Sequence, residues 1–314
     1  MNIPVVDLSQ FASGDAGAKN DFVRKLGQAY EEVGFVAVKN HGIDASLIDR
    51  LYDAVQEFFA FPAETKRRYE IPALAGQRGY TSFGKEHAKG FEAPDLKEFF
   101  QFGQVVQGDE KLKQEYPENV QVAEVPDFTP TALEAYRAFE RSGGHLLQAI
   151  ALYLGLREDY FDRYIRNGNS ILRAIHYPPI RQEPASAIRA EQHEDINLIT
   201  LLVGASADGL EILDKQGNWV PVTSLPDQIV VNVGDMLQRL TNNKLRSTTH
   251  RVVNPPREKW DSPRYSIPFF LHPRSDMDLS CLESCISREH PLQYPPITAG
   301  AYLEERLREI GLKK

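Results

Sequence analysis

The sequence predicts a mainly β fold, a sandwich or barrel, flanked by helices. From Ser170 onward, short runs of β-branched and aromatic residues alternate with Pro, Gly, Asn and Asp at fairly even spacing. Before that point, apolar residues at helical spacing stand between and after two short strand-like segments. No internal repeat and no low-complexity linker divides the sequence. We therefore expect a single domain over residues 1–314.

Residues 1–169 form the helix-rich part of this prediction. The segments IPVVDL and GFVAVKNHG are short strands, and apolar residues at helical spacing predict a helix over residues 19–32. Asp44 is a suitable N-cap for a second helix, and Pro62 opens a short third one. A long helix is expected over about 131–154. These helices are most simply a layer packed on a sheet.

Residues 170–280 carry the main series of strands. The predicted strands are ILRAIHY, INLITLLVG, LEILD, NWVPV, QIVVNVG, STTHRVVN and RYSIPFFLH. The segment DKQGNW is a turn in which Gly217 takes a positive φ, and NVGD is a second turn. Residues 281–314 are a C-terminal segment that ends in a short amphipathic helix.

Composition and charge exclude several kinds of partner. The 314 residues are 42% hydrophobic and 25% charged, as in ordinary globular proteins. The net charge of −8, without a long basic stretch, predicts no nucleic-acid partner. No signal-like N-terminus and no apolar run of about 20 residues is present, so we expect a cytoplasmic protein without membrane contact. Cys281 and Cys285 are interpreted as free thiols without a function. The oligomeric state is left open.

Three residues form a candidate metal site. His193 and Asp195 stand two positions apart at the head of a strand-like run, so their side chains can project from the same face. His250 follows in a later strand, which antiparallel pairing can bring opposite the first pair. Two imidazoles and one carboxylate leave three sites of an octahedral ion open, the arrangement of iron(II) oxygenases. Zinc more often takes a closed tetrahedron or a single open site.

A second pair of residues could hold a carboxylate. Arg264 and Ser266 are i and i+2 on the predicted strand RYSIPFFLH. A planar guanidinium with a neighbouring hydroxyl matches a carboxylate through charge-assisted hydrogen bonds. Taken alone, such a pair would favour an Arg in a surface salt bridge; its position shortly after His250 favours the carboxylate site instead.

Over nearly its whole length the chain resembles the isopenicillin N synthase-like branch of the iron(II)- and 2-oxoglutarate-dependent dioxygenases. The segments that carry the resemblance are IPVVDL, GFVAVKNHGI, RGYTSFGKE, PDLKEFFQFG, HYPP, HEDINLITLL, LPDQIVVNVGDMLQRLTNNKLRSTTHRV and RYSIPFF. The resemblance implies a double-stranded β-helix, or jelly roll, as the core over residues 170–280, with the iron site in it.

The resemblance also implies roles for individual residues. His193, Asp195 and His250 would be the iron ligands and the catalytic centre. The side chains of Arg264, Ser266 and Tyr177 would bind 2-oxoglutarate, the co-substrate used with O₂. Ile175 stands where many plant members have an asparagine near the co-substrate, so the contact made by that asparagine is not assigned to this chain. The carboxylate at position 195 disfavours halogenation.

The expected activity is oxidation of a small-molecule substrate by a dioxygenase, with release of succinate and CO₂. Hydroxylation is the default, and desaturation, ring formation and demethylation are open. One alternative is a 2-oxoglutarate-independent iron(II) oxidase, in which Arg264 and Ser266 hold the carboxylate of the substrate itself. The other is a non-catalytic jelly-roll binding module. We expect the substrate cavity to be shaped by the N-terminal helices, the loop around 79–90 and the C-terminal segment.

Other conspicuous residues are interpreted as structural. His41 and His176 are expected to be structural histidines, and the segment KRR at 66–68 a solvated helix face. Aromatic residues at strand spacing are expected in the core rather than in the cavity; these are Phe99, Phe100, Phe102, Phe269 and Phe270.

Overall fold

The computed structural model describes residues 3–74, 76–86, 93–184, 186–204, 208–223, 225 and 227–309. Part of the predicted loop around 79–90, and the last five positions of the C-terminal segment, lie outside these ranges. Within them, no helix combines the length and the apolar character that a membrane span requires.

Helices dominate the first half of the chain. The α-helices are α1 Ala16–Glu32, α2 Ala45–Ala60, α3 Ala63–Arg67, α4 Glu110–Glu115, α5 Phe128–Tyr153, α6 Asp162–Ile165, α7 Asp235–Leu240 and α8 Ala299–Glu309. The helix predicted over 19–32 begins earlier, because the Asp15 side chain caps it by accepting from the backbone N–H groups of Gly17 and Ala18. Asp44 caps α2 in the same way, as predicted.

The strands form two sheets. They are β1 Val5–Asp7, β2 Phe35–Lys39, β3 Gly79–Thr81, β4 Glu98–Gly103, β5 Ile171–Tyr177, β6 Ala190–His193, β7 Ile199–Val203, β8 Leu210–Leu213, β9 Trp219–Pro221, β10 Gln228–Val233, β11 His250–Val252 and β12 Arg264–Leu271. The large sheet has the order β1-β2-β10-β7-β12-β5-β4-β3, and the small sheet the order β6-β11-β8-β9. Apart from the parallel β1–β2 pair, the paired strands are antiparallel.

The two sheets face each other and form a jelly-roll core. Phe35 and Val230 of the large sheet pack against Ile212 of the small one. Towards the other end, Tyr177 of the large sheet packs against Val252 of the small sheet. The predicted fold, mainly β with flanking helices around a jelly roll, is confirmed.

Side chains alternate between two environments along each strand of the large sheet. On β12, Ile267, Phe269 and Leu271 join the main core with the helices, whereas Ser266 and Phe270 face the cavity between the sheets. On β4, Phe100 and Phe102 likewise belong to the core. Phe99 is buried in the smaller cluster between the sheets, where it also lines the cavity, so the expectation of a core position holds for it. Phe270 faces the cavity and belongs to no buried cluster among the described residues, so the expectation is wrong for it.

The segment NVGD is not a simple turn between strands. Asn232 and Val233 end β10, and Gly234 leads directly into helix α7. The turn prediction is therefore wrong in part, because a six-residue helix is too short to show a clear period in sequence. Gly217 does take a positive φ, of 82°, as predicted. Cys281 and Cys285 are free thiols.

Lys66 belongs to a buried ion-pair cluster. Its Nζ lies 2.7 Å from Oε1 of Glu98 on β4, and its side chain is 9% exposed. Glu98 also accepts from His176 Nδ1 at 2.7 Å and from the hydroxyl of Tyr80. The expectation of a solvated helix face is therefore wrong at Lys66, whereas Arg67 and Arg68 are exposed as expected. His176 has the structural role expected of it.

Replacing Lys66 by Met should destabilise the fold by about 3 kcal/mol, because the Glu98 carboxylate would stay buried without its cation. The value lies at the low end for a broken buried pair, since His176 and Tyr80 still donate to Glu98. Chemical denaturation measures the change. Lys113→Met is the matched control, because its pair with Glu110 is exposed and should contribute less than about 1 kcal/mol. Equal stabilities of the two variants would refute the role of the cluster.

Candidate metal centre and co-substrate cavity

His193, Asp195 and His250 converge on one point. His193 ends β6, His250 begins β11, and the two are direct partners in the antiparallel register of the small sheet. Oδ1 of Asp195 lies 3.7 Å from Nε2 of His193 and 3.6 Å from Nε2 of His250. One ligand atom from each of the three residues lies within 4.8 Å of the others.

Asp195 does not stand on the strand expected for it. His193 belongs to the small sheet and the following strand β7 to the large sheet, and Asp195 lies on the connection that crosses between them. The expectation of one continuous strand is wrong because the chain must leave the first sheet after His193. The crossing nevertheless brings the carboxylate between the two imidazoles.

Backbone carbonyls orient both imidazoles. Nδ1 of His193 donates to the carbonyl of Glu191 at 2.7 Å, and Nδ1 of His250 donates to the carbonyl of Thr248 at 3.1 Å. A carbonyl oxygen can only accept, so the proton of each neutral ring is on Nδ1. Both Nε2 lone pairs are therefore free to bind an ion at the point of convergence.

The carboxylate of Asp195 is buried and oriented by two donors. Its Oδ2 accepts from Thr200 Oγ1 at 2.6 Å and from Asn232 Nδ2 at 2.8 Å, which leaves Oδ1 towards the imidazoles. Burial by itself would raise the pKa of Asp195. The facing histidines and these two hydrogen bonds outweigh burial and hold that pKa below its usual range. The group is therefore an anion at neutral pH.

His193 is neutral at the same pH. Its side chain is 38% exposed, but the exposed part faces the cavity rather than open solvent. Burial, together with the neighbouring ring of His250, lowers the pKa of His193 to about 4. A neutral imidazole beside a carboxylate and a second imidazole is the donor set that suits a divalent iron ion with open coordination sites. The three residues thus fit such an ion.

Arg264, Ser266 and Tyr177 lie in the wall of the same cavity as these three residues. Arg264 and Tyr177 are direct partners in the register of β12 and β5, and Ser266 pairs with Ile175. The guanidinium carbon of Arg264 is 5.0 Å from the centre of the Tyr177 ring. Arg264 is only 1% exposed, so its charge acts inside the protein, where a carboxylate would be bound most strongly. All six site residues predicted from the sequence therefore meet in one cavity of about 1220 Å³.

The cavity also has a charged and aromatic wall that the sequence analysis missed. Nε of Arg173 donates to Gln101 at 2.9 Å, and Nη1 lies 3.2 Å from Glu86. The Arg173 guanidinium lies 4.3 Å from the ring centre of Phe99 and 5.3 Å from that of Phe270. The two-residue period of strands could have revealed Arg173, because position 173 is four residues before Tyr177 and its side chain therefore projects from the same face.

Glu86 is held as an anion in this wall. Besides Arg173, its partner is the buried Lys97, whose Nζ lies 2.8 Å from Glu86 Oε1 and 2.8 Å from Asp95 Oδ2. Burial would raise the pKa of Glu86, but the two cations lower it to about 2. Two cations and two anions balance, so the wall is polar without a large net charge.

The C-terminal helix closes one side of the cavity. Tyr302 of α8 donates its hydroxyl to Asp235 Oδ2 at 2.8 Å, and Leu303 and Leu307 line the cavity. The expectation that the C-terminal segment shapes the cavity is confirmed for these residues. Helices α1, α2 and α5 pack on the opposite face of the large sheet instead. The expectation that the N-terminal helices shape the cavity is therefore wrong for these three.

Comparisons with known proteins agree over the whole chain. Residues 3–124 match the family described as non-haem dioxygenase in morphine synthesis N-terminal, and residues 168–273 match the 2OG-Fe(II) oxygenase superfamily. A 2-oxoglutarate-Fe(II) type oxidoreductase of Emericella nidulans, hxnY, is 32% identical over 99% of this chain and 92% of its own length. Proline hydroxylase buaE of Petromyces alliaceus is 33% identical over 98% of this chain and 99% of its own.

Solved structures share the fold as well. A Caulobacter crescentus protein assigned to the 2OG-Fe(II) oxygenase family is 43% identical, with a TM-score of 0.89 and coverage of 98% of this chain and 99% of the other. A Neurospora crassa protein, solved in complex with alpha-KG and thymine, is 29% identical, with a TM-score of 0.86 and coverage of 98% and 96%.

Removal of the amide that orients the carboxylate should weaken metal binding. In Asn232→Ala, Asp195 loses one of its two donors, and we expect the affinity for iron(II) to fall about 10- to 100-fold. Anaerobic titration against a competing chelator measures it. Asn218→Ala, which removes an exposed amide bonded to Asp214, is the control and should bind iron(II) like the unaltered protein. Equal affinities of both variants would mean that Asn232 does not prepare the site.

Proposed function

The chain belongs to the iron(II)- and 2-oxoglutarate-dependent oxygenase family, and on this premise we propose that His193, Asp195 and His250 are its iron ligands. The observation that carries the proposal is the convergence of two imidazoles of defined tautomer with one buried carboxylate. Iron(II), when bound, supplies activation of O₂ coupled to oxidative decarboxylation of 2-oxoglutarate. The chain's own residues bind and orient the reactants and limit the access of water.

The protein is a non-haem iron(II) oxidoreductase that uses 2-oxoglutarate to oxidise a small molecule, typically by hydroxylation, with release of succinate and CO₂. Homologues named for 2-oxoglutarate, and a related structure with alpha-KG, favour this activity over both the 2-oxoglutarate-independent oxidase and the non-catalytic binding module. The comparisons establish the family but not the isopenicillin N synthase-like branch.

The proposed co-substrate site is Arg264, Ser266 and Tyr177. Arg264 would pair with the distal carboxylate of 2-oxoglutarate, and the two hydroxyls would add hydrogen bonds. Support comes from the register that sets Arg264 beside Tyr177 and from the burial of all three side chains. A buried guanidinium binds a carboxylate more strongly than an exposed one, since solvent screening is reduced.

We also propose one domain over residues 1–314, because strands of the 1–169 part join those of the 170–280 part in the large sheet. Strand β2 pairs with β10, and β4 pairs with β5. A cytoplasmic location and the absence of nucleic-acid and membrane partners stay predictions. They rest on composition and on the net charge of −8.

For the primary substrate we propose a small, flat, polar molecule held by the wall around Arg173. The guanidinium is positioned by Phe99 and Phe270, and its partly exposed side chain faces the cavity. Flanking aromatic rings favour a planar partner, and the polar groups of Gln101 and Arg173 favour one with hydrogen-bonding edges. The thymine complex of the Neurospora crassa protein supports a heterocycle of this kind.

Replacement of a proposed ligand should abolish turnover. His193→Ala and Asp195→Ala each remove one of three protein ligands, and we expect loss of stoichiometric iron(II) and of succinate formation from 2-oxoglutarate. Metal analysis and succinate assay measure the two losses. His290→Ala, at an exposed position, is the control and should keep both. Full activity in either ligand variant would exclude the residue from the iron site.

A screen for substrates tests the proposal that the wall around Arg173 binds the primary substrate. Among planar nitrogen heterocycles, thymine included, we expect some to accelerate succinate release. In Arg173→Gln the KM for such a compound should rise about tenfold or more, the magnitude of one hydrogen bond to a charged group. The KM for 2-oxoglutarate should stay near that of the unaltered enzyme. A variant with an unchanged substrate KM would remove Arg173 from the binding surface.

A further inference from the structure

Arg189 is a buried arginine that the proposed site does not use. It stands directly before β6, the strand that ends at His193, and is 2% exposed. One of its nitrogens, Nη2, donates to the carbonyl of Ser262 at 3.2 Å. Its Nε is buried without a hydrogen-bond partner in the part of the chain that the structure describes. Buried polar groups are almost always paired, so this one requires an explanation.

The surroundings of Arg189 add positive charge rather than cancel it. Its guanidinium carbon lies 5.8 Å from the ring centre of Tyr177, the same ring that lies 5.0 Å from the guanidinium carbon of Arg264. Among the described residues, no carboxylate forms an ion pair with Arg189. Burial and the nearby charge of Arg264 lower the pKa of Arg189 to about 10, so it remains a cation at neutral pH.

A buried cation without a counter-ion is costly and is normally balanced by an anion. Lys97, another cation of this region, is already balanced by Glu86 and Asp95. The anion expected beside Arg264 and Tyr177 is the distal carboxylate of the co-substrate. Ser262, to which Arg189 is bonded, lies two residues before Arg264, so one short stretch of backbone connects the two guanidiniums.

We propose that Arg189 is a positioning residue of the co-substrate site, a second buried cation that raises the positive potential where the distal carboxylate of 2-oxoglutarate binds. The inference rests on the proposed role of Arg264. Arg189 is not part of the cavity wall. It acts through the electric field and through its contact with Tyr177, not by touching the co-substrate. It therefore favours dicarboxylic 2-oxo acids over monocarboxylic ones.

The test compares two ligands that differ only in the distal carboxylate. In Arg189→Met, loaded anaerobically with iron(II), calorimetry should give a Kd for 2-oxoglutarate about tenfold higher than in the unaltered protein. This is the order expected for one charge several Å away at an effective dielectric constant of about 20. The Kd for 2-oxopentanoate, which has the same chain length without the distal carboxylate, should not change.

Stability gives a second readout. Without co-substrate, Arg189→Met should melt no lower than the unaltered protein, because an unbalanced buried charge has been removed. The increase in Tm on addition of 2-oxoglutarate should be smaller, in line with the weaker binding. Arg189→Gln keeps a donor for Ser262 and covers the case in which the Met variant does not fold. Arg181→Met, at a 73% exposed site, controls for net charge and should behave like the unaltered protein.

The outcomes separate this inference from the proposed function. If Arg264→Met weakens binding of 2-oxoglutarate and the Arg189 variants do not, the inference is wrong and the proposed site stands. Weaker binding of both 2-oxo acids together with a lower Tm would show a purely structural role for Arg189, which also overturns the inference. If Arg264→Met leaves the Kd unchanged, the proposed co-substrate site itself fails, and the inference with it.

Discussion

The alternation of side chains along the large sheet determines where everything else in this protein lies. One face of the sheet packs against α1, α2 and α5, and the other lines the cavity. Because the period is two, a strand such as β12 can contribute Phe269 to the core and Arg264 to the cavity at the same time. Core packing thereby orients the functional side chains.

The cavity is organised by charge as well as by shape. At the small sheet, Asp195 is kept anionic between two imidazoles by donors from Thr200 and Asn232. The large sheet contributes the buried guanidinium of Arg264 and the polar wall around Arg173. A metal ion, a dicarboxylic acid and a polar small molecule would each meet a complementary surface, so their binding energy can be used for orientation.

Much of the fold and of the candidate site could be predicted from the sequence, since strands and helices leave clear periods in it. The prediction that His250 lies opposite His193 followed from the antiparallel pairing of short strands, and the structure has this pairing. The crossing of the chain between the sheets at Asp195 did not, because residues 194–198 contain neither the Gly nor the Pro that would mark the end of a strand. The burial of Lys66 was also hidden, because its partner Glu98 is 32 residues away and only the tertiary fold joins them.

The most direct measurement is an anaerobic titration of the metal-free protein with iron(II) and then with 2-oxoglutarate, followed by visible absorption. A 2-oxo acid bound to iron(II) gives a weak charge-transfer band. We predict that the band forms in the unaltered protein and is lost in Asp195→Ala. Iron binding without the band would contradict a co-substrate site beside the metal, and absence of iron binding would contradict the metal centre of His193, Asp195 and His250.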